Sequence, residues 1–489
     1  MAPQHARRAS ARTGQAAAAV LAALLSDCVV GPDYRRPEVQ APAAYLYPAG
    51  QDAALAEAEW WKAFGDPVLD GLIAEALVHN RSIKVAAANV EQAAGVLQST
   101  RSAFYPQVGY QLAGGRNRFT EDGLNALSAG VSNPTNYFQA LAGASWEIDL
   151  WGRVQRLSES AQANVLATDE ARRGVILTLV ANVANGYLQL RGLDEQLAMA
   201  QRTRDAYAES LRLMQAKFQY GRVSQMNVEQ ATARLQTAEA QIPRIRRDIA
   251  LLQDALAILL GRNPGPIARG KGIFEIRLPA VPAGVPSQLL ERRPDLAQAE
   301  QQLIAANAQI GAAKAQYFPT ISLTAALGTA STDLSNLFRA GTRNWNYAGA
   351  IVGPIFTGGA IAGQVAQAEA AQRAALQSYQ LAIQNAFADV DNALVSRSTL
   401  LDQQAAQEKL VNALRGYSRI AQLQFDVGRV PYSTVLQAEQ ELFPAELEWA
   451  ADRARLCSSI VGIYKAMGGG WVAAADKLTA ADAPAGAAR

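Results

Sequence analysis

Hydrophobic positions along this chain follow two rhythms. Long stretches repeat at steps of three and four, and short ones alternate. From Gly152 to Tyr220 no proline intervenes, a run of about 69 residues, on the order of 100 Å as a helix. Its later part carries the seam Leu190, Leu193, Leu197, Ala200, Arg204, Tyr207, Leu211, Met214, Phe218, with Arg204 as the polar intruder. After a short turn, Val228, Ala231, Leu235, Ala238, Ile242, Ile245, Ile249, Leu252, Leu256 and Leu259 repeat the spacing. Two seams joined by a glycine turn predict an antiparallel helical hairpin. A second predicted hairpin runs from Gly358 to Val427 and returns over 431–467, with Val435, Ala438, Leu442, Ala445 and Trp449 in the seam. Pro243 and Pro444 fall inside the return helices and should bend them locally.

The hairpin ends are nearly the same sequence, Phe218-Gln-Tyr-Gly-Arg-Val223 and Phe425-Asp-Val-Gly-Arg-Val430, with glycines 428 − 221 = 207 residues apart. The repeat extends upstream. Residues 83–106 match 296–319, including Arg101 with Lys314 and Phe104-Tyr105-Pro106 with Tyr317-Phe318-Pro319.

The alternating stretches follow those prolines. Val108, Tyr110 and Leu112 share one face of a predicted strand over about 107–118. Phe138, Ala140, Ala142, Ala144, Trp146, Ile148 and Leu150 share one over 137–150, opposite Gln139, Ser145, Glu147 and Asp149. Ile321, Leu323, Ala325 and Leu327 mark a third strand over 320–329, and a fourth over 345–356 alternates poorly, so its apolar side is open. One dry and one wet face suit a membrane barrel wall. Helical pattern is expected from Asp66-Pro67 to about Tyr105.

Composition narrows the field. Aromatic residues make up 7% and the net charge is +2, without blocks of like charge, so nothing suggests a nucleic-acid surface. His5, His79, Cys28 and Cys457 cannot assemble a metal site or a Ser-His-Asp set, and no cofactor is called for. Gly358-Gly-Ala-Ile-Ala-Gly363 lacks the Lys-Ser or Lys-Thr of a phosphate loop. An enzyme is not expected. Cys457 lies in helical pattern as a packed thiol, a disulfide to Cys28 being the alternative.

Arg7, Arg8 and Arg12 followed by the apolar run 16–25 read as an export signal. Cys28 follows it and is a candidate for lipidation, or else an unmodified cysteine in a leader; Asp27 stands where a small residue is usual before such a cysteine. No later stretch is long and apolar enough for a membrane helix, so any membrane entry is by strands. The resulting division is a signal (1–27), an extended segment (28–65), repeat one (66–262, hairpin 152–260), a linker (263–286), repeat two (287–467, hairpin 358–467) and a tail (468–489).

Four strands cannot close a barrel, which needs about eight or more, whereas three chains would supply about twelve. A hollow tube shared by several chains follows. A structural periplasmic coiled coil would account for the seams but leave the alternating strands without a role.

Cys28 with Gly31-Pro-Asp-Tyr34, Trp60-Trp61 with Asp66-Pro67, Leu289-Leu290 with Arg292-Arg-Pro-Asp295, Ala308-Gln-Ile-Gly-Ala-Ala-Lys314, Phe318-Pro319 and Tyr464-Lys-Ala-Met-Gly-Gly-Gly-Trp471 occur in one order. In that order they resemble the outer-membrane factor family of bacterial tripartite efflux systems, the TolC-like channels, in its lipoprotein branch. The resemblance covers nearly the whole chain. It implies a mainly helical fold with a membrane β-barrel, built from two tandem repeats, in a homotrimer with a twelve-stranded barrel in the outer membrane and a long periplasmic helical barrel. It also implies a periplasmic adaptor, an inner-membrane proton-driven pump and passive conduction of exported small molecules. A type I-like protein secretion channel is the alternative.

It makes the tips, Tyr220, Gly221, Arg222, Val223, Ser224 and Val427, Gly428, Arg429, Val430, Pro431, candidates for adaptor contact. Gly221 and Gly428 are at the same time the turn residues the geometry demands, whereas for Arg222 and Arg429 contact is the favoured reading. Where the family often has an aperture aspartate this chain has Gln437, with Glu439 and Glu441 close by, as aperture lining or as solvated surface. Glu147 and Asp149 are candidates for the barrel lumen, with a helix-start role the alternative for Asp149.

Overall fold

The computed structural model describes residues 29–39, 42, 45–47, 59–120, 132–281, 291–468 and 472. Cys28, the export signal and the C-terminal tail beyond 472 lie outside them. Among the described residues there are seven α-helices: α1 (Pro67–His79), α2 (Arg81–Ser102), α3 (Arg153–Gln219), α4 (Gln225–Leu259), α5 (Pro294–Ala315), α6 (Ala360–Asp426) and α7 (Tyr432–Ala466). Four strands, β1 (Gln107–Asn117), β2 (Thr135–Ile148), β3 (Thr320–Ser331) and β4 (Arg343–Val352), form one antiparallel sheet in chain order. No described helix is long and apolar enough to cross a membrane. The chain divides into a sheet-bearing unit (1–38, 90–168, 299–379) and a second unit (39–89, 169–298, 380–489).

Helical pattern after Asp66 is broken where a continuous helix was expected. Asn80 separates α1 from α2, its Oδ1 accepting from the backbone of Ser82 at 2.8 Å and Ile83 at 3.2 Å. Its Nδ2 donates to the Leu259 carbonyl at 2.8 Å. An asparagine that both caps the second helix and ties it to α4 outweighs the modest gain of continuing one helix through it.

In the sheet-bearing unit, registration decides which side chains share a face. Trp345 pairs with Leu327, Tyr347 with Ala325 and Ile351 with Ile321. Leu327 pairs with Ala142, and Ala142 with Tyr110. Directly paired residues point the same way, so the apolar positions of all four strands lie on one face, and the weak alternation of β4 is resolved. That face is open in the single chain: Tyr110 is 85% exposed, Val108 77%, Tyr347 78% and Ile351 72%. β2 and β3 join the two repeats, and β1 and β4 are edges with no partner strand among the described residues.

The N-terminal segment is bolted to this unit. Val30 donates its amide to the Trp151 carbonyl at 3.1 Å, and Asn307 donates to the Pro32 carbonyl at 2.8 Å. Arg156, buried, reaches Asp33 at 2.7 Å and Glu159 at 2.8 Å. Gly31 has φ 109°, and a Cβ there would fall 2.4 Å from the Gly311 Cα, so two backbones meet where a side chain has no room. Tyr34 and Arg36 both engage Glu300, at 3.1 and 2.9 Å.

The second unit holds the largest core. Trp60, Trp61 and Phe64, on a 3-10 turn, are buried with Leu69, Ile73, Ile176, Val180, Leu188 and Tyr464. Trp60 stacks on Tyr464 with centroids 5.1 Å apart. The seam residues Leu190, Ala200, Tyr207, Ala238, Ile242, Ile245, Ile249 and Leu256 join the same core, as heptad spacing requires. Cys457 is a free, fully buried thiol, pushed up to about 11 by desolvation.

Buried Asp66 organises the start of α1. Its carboxylate accepts from the Val68 amide at 3.0 Å, the Tyr187 hydroxyl at 2.7 Å and the Lys271 amide at 3.1 Å, and the Tyr187 oxygen accepts from the Gly270 amide at 2.9 Å. Tyr187→Phe removes a donor and an acceptor from a closed network. It should cost about 1–3 kcal/mol, measured as a lower denaturant midpoint of the purified protein, with an unchanged midpoint counting against the network.

Candidate functional site

Both tips close in the same way. After α3, the Gly221 amide donates to Phe218 O at 2.9 Å and the Arg222 amide to Lys217 O at 2.9 Å; after α6, Gly428 donates to Phe425 O at 3.0 Å and Arg429 to Gln424 O at 2.8 Å. These paired bonds form a Schellman closure, which needs a left-handed residue, and Gly221 and Gly428 supply φ of 66° and 74°. Glycine is thus required by geometry. The arginines are not: Arg222 and Arg429 are exposed, and neither guanidinium meets an acidic partner among the described residues. Tyr220 is 82% and Val427 69% exposed, Val223 and Val430 are half-buried, and Ser224 and Pro431 are the exposed residues that open the return helices.

Behind the tips the two hairpins pack together. Met214, Ala231, Ala421, Tyr432, Val435, Leu436 and Ala438 form an apolar plug. Lys217 reaches Asp426 at 3.4 Å and lies 4.7 Å over the Phe425 ring. Ser210 meets the Tyr432 hydroxyl at 3.3 Å, and Arg234 donates to Gln440 at 2.9 Å. The sequence motifs did not single out Lys217, Asp426 or Arg234. Their signal lies in the differences between the copies: Lys217 stands where the second copy has Gln424, Asp426 where the first has Gln219, and Arg234 where the second has Glu441. At Lys217 and Asp426, opposite charges placed in different copies meet one another.

The three aperture candidates part company on α7. Gln437 and Glu441 are exposed on one side, with Gln437 Nε2 3.4 Å from Glu441 Oε1. Glu439 turns into the seam, where the Tyr207 hydroxyl donates to its backbone carbonyl at 3.3 Å. Tyr207 of α3, Arg234 of α4 and Tyr432 of α7 face it, and desolvation lifts its carboxyl to about 7, the Arg234 charge opposing the shift.

In the sheet-bearing unit, Glu147 takes a two-pronged bond from Arg153 at 2.8 and 3.0 Å. Asp149 accepts from the Gln155 amide at 2.7 Å. Both carboxylates serve the junction where β2 turns into α3, and Asp149 holds the helix start.

A small antiparallel sheet carried on two long helical hairpins is the fold of outer-membrane efflux channels. The chain belongs to the outer membrane efflux protein family, whose model matches residues 72–262 and 285–469. It is 36% identical over 458 residues to the solvent efflux pump outer membrane protein SrpC of Pseudomonas putida, covering 92% of this chain and 96% of that one. It is 34% identical over 458 residues to the cation efflux system protein CusC of Escherichia coli, covering 92% and 97%. Among solved structures, the CmeC outer membrane channel of Campylobacter jejuni superposes with a TM-score of 0.84 at 26% identity, over 91% of this chain and 95% of that one. The open state of the MtrE outer membrane channel of Neisseria gonorrhoeae gives 0.80 at 30%, over 91% and 98%.

Glu439 gives the seam a pH dependence with a defined sign. Its folded-state value, about 7, lies above its ordinary 4.5, so the folded seam binds the extra proton and is most stable below that ordinary value. Stability should fall as pH rises through about 7. Glu439→Gln should flatten this dependence between pH 5 and 8, followed by hydrogen exchange of the α3 and α7 amides near Tyr207 and Glu439; an undiminished slope would exclude Glu439 as its source.

Proposed function

We propose that three copies of this chain form an outer-membrane channel that passively conducts small molecules delivered by a proton-driven inner-membrane pump through a periplasmic adaptor. One observation carries the reading: a four-stranded sheet with an open apolar face and two edges that lack partner strands among the described residues. Such edges are not tolerated in hydrocarbon. Three chains would join β1 of one to β4 of the next and close about twelve strands. The helical hairpins would continue the tube into the periplasm, with a lipid on Cys28 as a second hold on the membrane.

The tips suit adaptor contact because their arginines, Tyr220 and Val427 are exposed without a structural task. Gln437 and Glu441 are the aperture-facing pair in this reading, with Glu439 acting from behind the wall, and Glu147 and Asp149 set the rim where strands become helices. Cargo belongs to the pump. Relatives named for solvent and for cation efflux are about equally similar to this chain, at 36% and 34% identity, so overall similarity does not choose between such cargoes.

Outer-membrane fractions should contain heat-modifiable trimers, whereas an entirely soluble protein would sink the proposal. Gly428→Trp places a large side chain at a left-handed position in the tip. It should leave trimers inserted while resistance to pump substrates falls to the level of a channel deletion; full resistance would remove the tip from docking. In single-channel recordings Glu441→Gln should reduce cation selectivity, and no change in this variant would take Glu441 out of the aperture.

A further inference from the structure

The end of the sheet remote from the helices is strongly basic. Arg116 lies one residue before the end of β1 and Arg118 just beyond it; Arg339 lies in the β3–β4 connection and Arg343 opens β4. All four are exposed. Asp333 is the one acidic residue at this end among the described residues, and its Oδ1 already accepts from the Ser335 amide at 2.9 Å and hydroxyl at 2.8 Å.

Two of these arginines continue the apolar face. Arg116 has the side-chain parity of Val108, Tyr110 and Leu112, and Arg343 that of Trp345, Tyr347 and Ile351. Trp345 and Tyr347 stack with centroids 5.8 Å apart. Toward the remote end the β4 face therefore reads aliphatic, aromatic, guanidinium. A lipid leaflet presents the same order as hydrocarbon, interface and charged headgroup. Beside it the connection exposes Phe338 (80%) and Leu334 (62%).

Arg116 and Arg343 also sit on the two edge strands. If three chains close the barrel, each junction sets Arg343 of one chain near Arg116 of the next, two like charges for which Asp333 is the one acidic residue at this end among the described residues. We infer that each Arg116–Arg343 junction binds the phosphate of a phosphorylated lipid headgroup in the outer leaflet, with Arg118 and Arg339 extending the basic rim. Planar guanidinium groups suit a tetrahedral oxyanion through paired hydrogen bonds, and the neighbouring apolar face takes the acyl chains. The inference rests on the trimeric barrel proposed above.

Intact trimers in detergent micelles spiked with bis-phosphorylated lipid A, or with its dephosphorylated form, would be weighed by native mass spectrometry. The same preparation would be tested for conductance in phosphatidylcholine bilayers. The phosphorylated lipid should be retained at up to one per junction, the dephosphorylated form should not, and millimolar inorganic phosphate should not displace it. Arg116→Gln with Arg343→Gln should weaken retention by about 25-fold, from a factor of about five for each guanidinium at an anionic lipid surface, and the double lysine variant should recover part of it. Equal retention of both lipid forms, unchanged retention in the glutamine variant, or displacement by free phosphate would overturn the inference. The two lipid forms on the wild-type chain decide the matter even if the glutamine variant does not assemble. Absence of both heat-modifiable trimers and conductance would instead overturn the barrel itself.

Discussion

Backbone amides and carbonyls along the outer edges of β1 and β4 set the terms for the rest of the chain. A sheet of four strands has two such edges and one apolar face that the chain does not cover. Each polar group left unpaired in hydrocarbon costs several kcal/mol, far more than any side-chain contact in the sheet can return. In the trimer proposed above, neighbouring chains would supply the missing partner strands. The duplicated plan fits that need, because each repeat supplies a strand pair and a hairpin, and β2 with β3 joins the halves without any edge left between them.

The helical seams and the sheet face were legible because periodicity is enforced by burial. Heptad steps at Leu190, Tyr207 and Ile245 and alternation at Val108 or Leu323 record which side must be dry. Asn80 was less visible. Its break depends on a carbonyl of α4 almost two hundred residues away, and local pattern carries no trace of such a partner. The poor alternation of β4 became readable only through its ladder to β3, since Gly349 on the apolar side and Ala348, Ala350 and Val352 on the other blur the contrast in hydropathy.

Of the candidate site, the turn glycines could be read directly because φ above zero nearly demands glycine. The roles of the glutamates could not. Gln437, Glu439 and Glu441 are two apart on a helix, and which one faces the seam is fixed by Tyr207, Arg234 and Tyr432, on two other helices and an earlier turn of α7 itself. Comparing the two copies position by position does better than reading either alone. Where they agree, as at Gly221 and Gly428, the backbone sets the residue; where Lys217 stands against Gln424 and Asp426 against Gln219, the hairpins meet one another.

The short stretch after Cys28 has a mechanical consequence. Val30 is hydrogen-bonded to Trp151, Asn307 holds Pro32, and Gly31 lies flat against Gly311. The described chain therefore begins on a fixed post: a pull on its first residues passes with almost no slack into the β2–α3 corner and into α5, and turns the sheet-bearing unit as one piece.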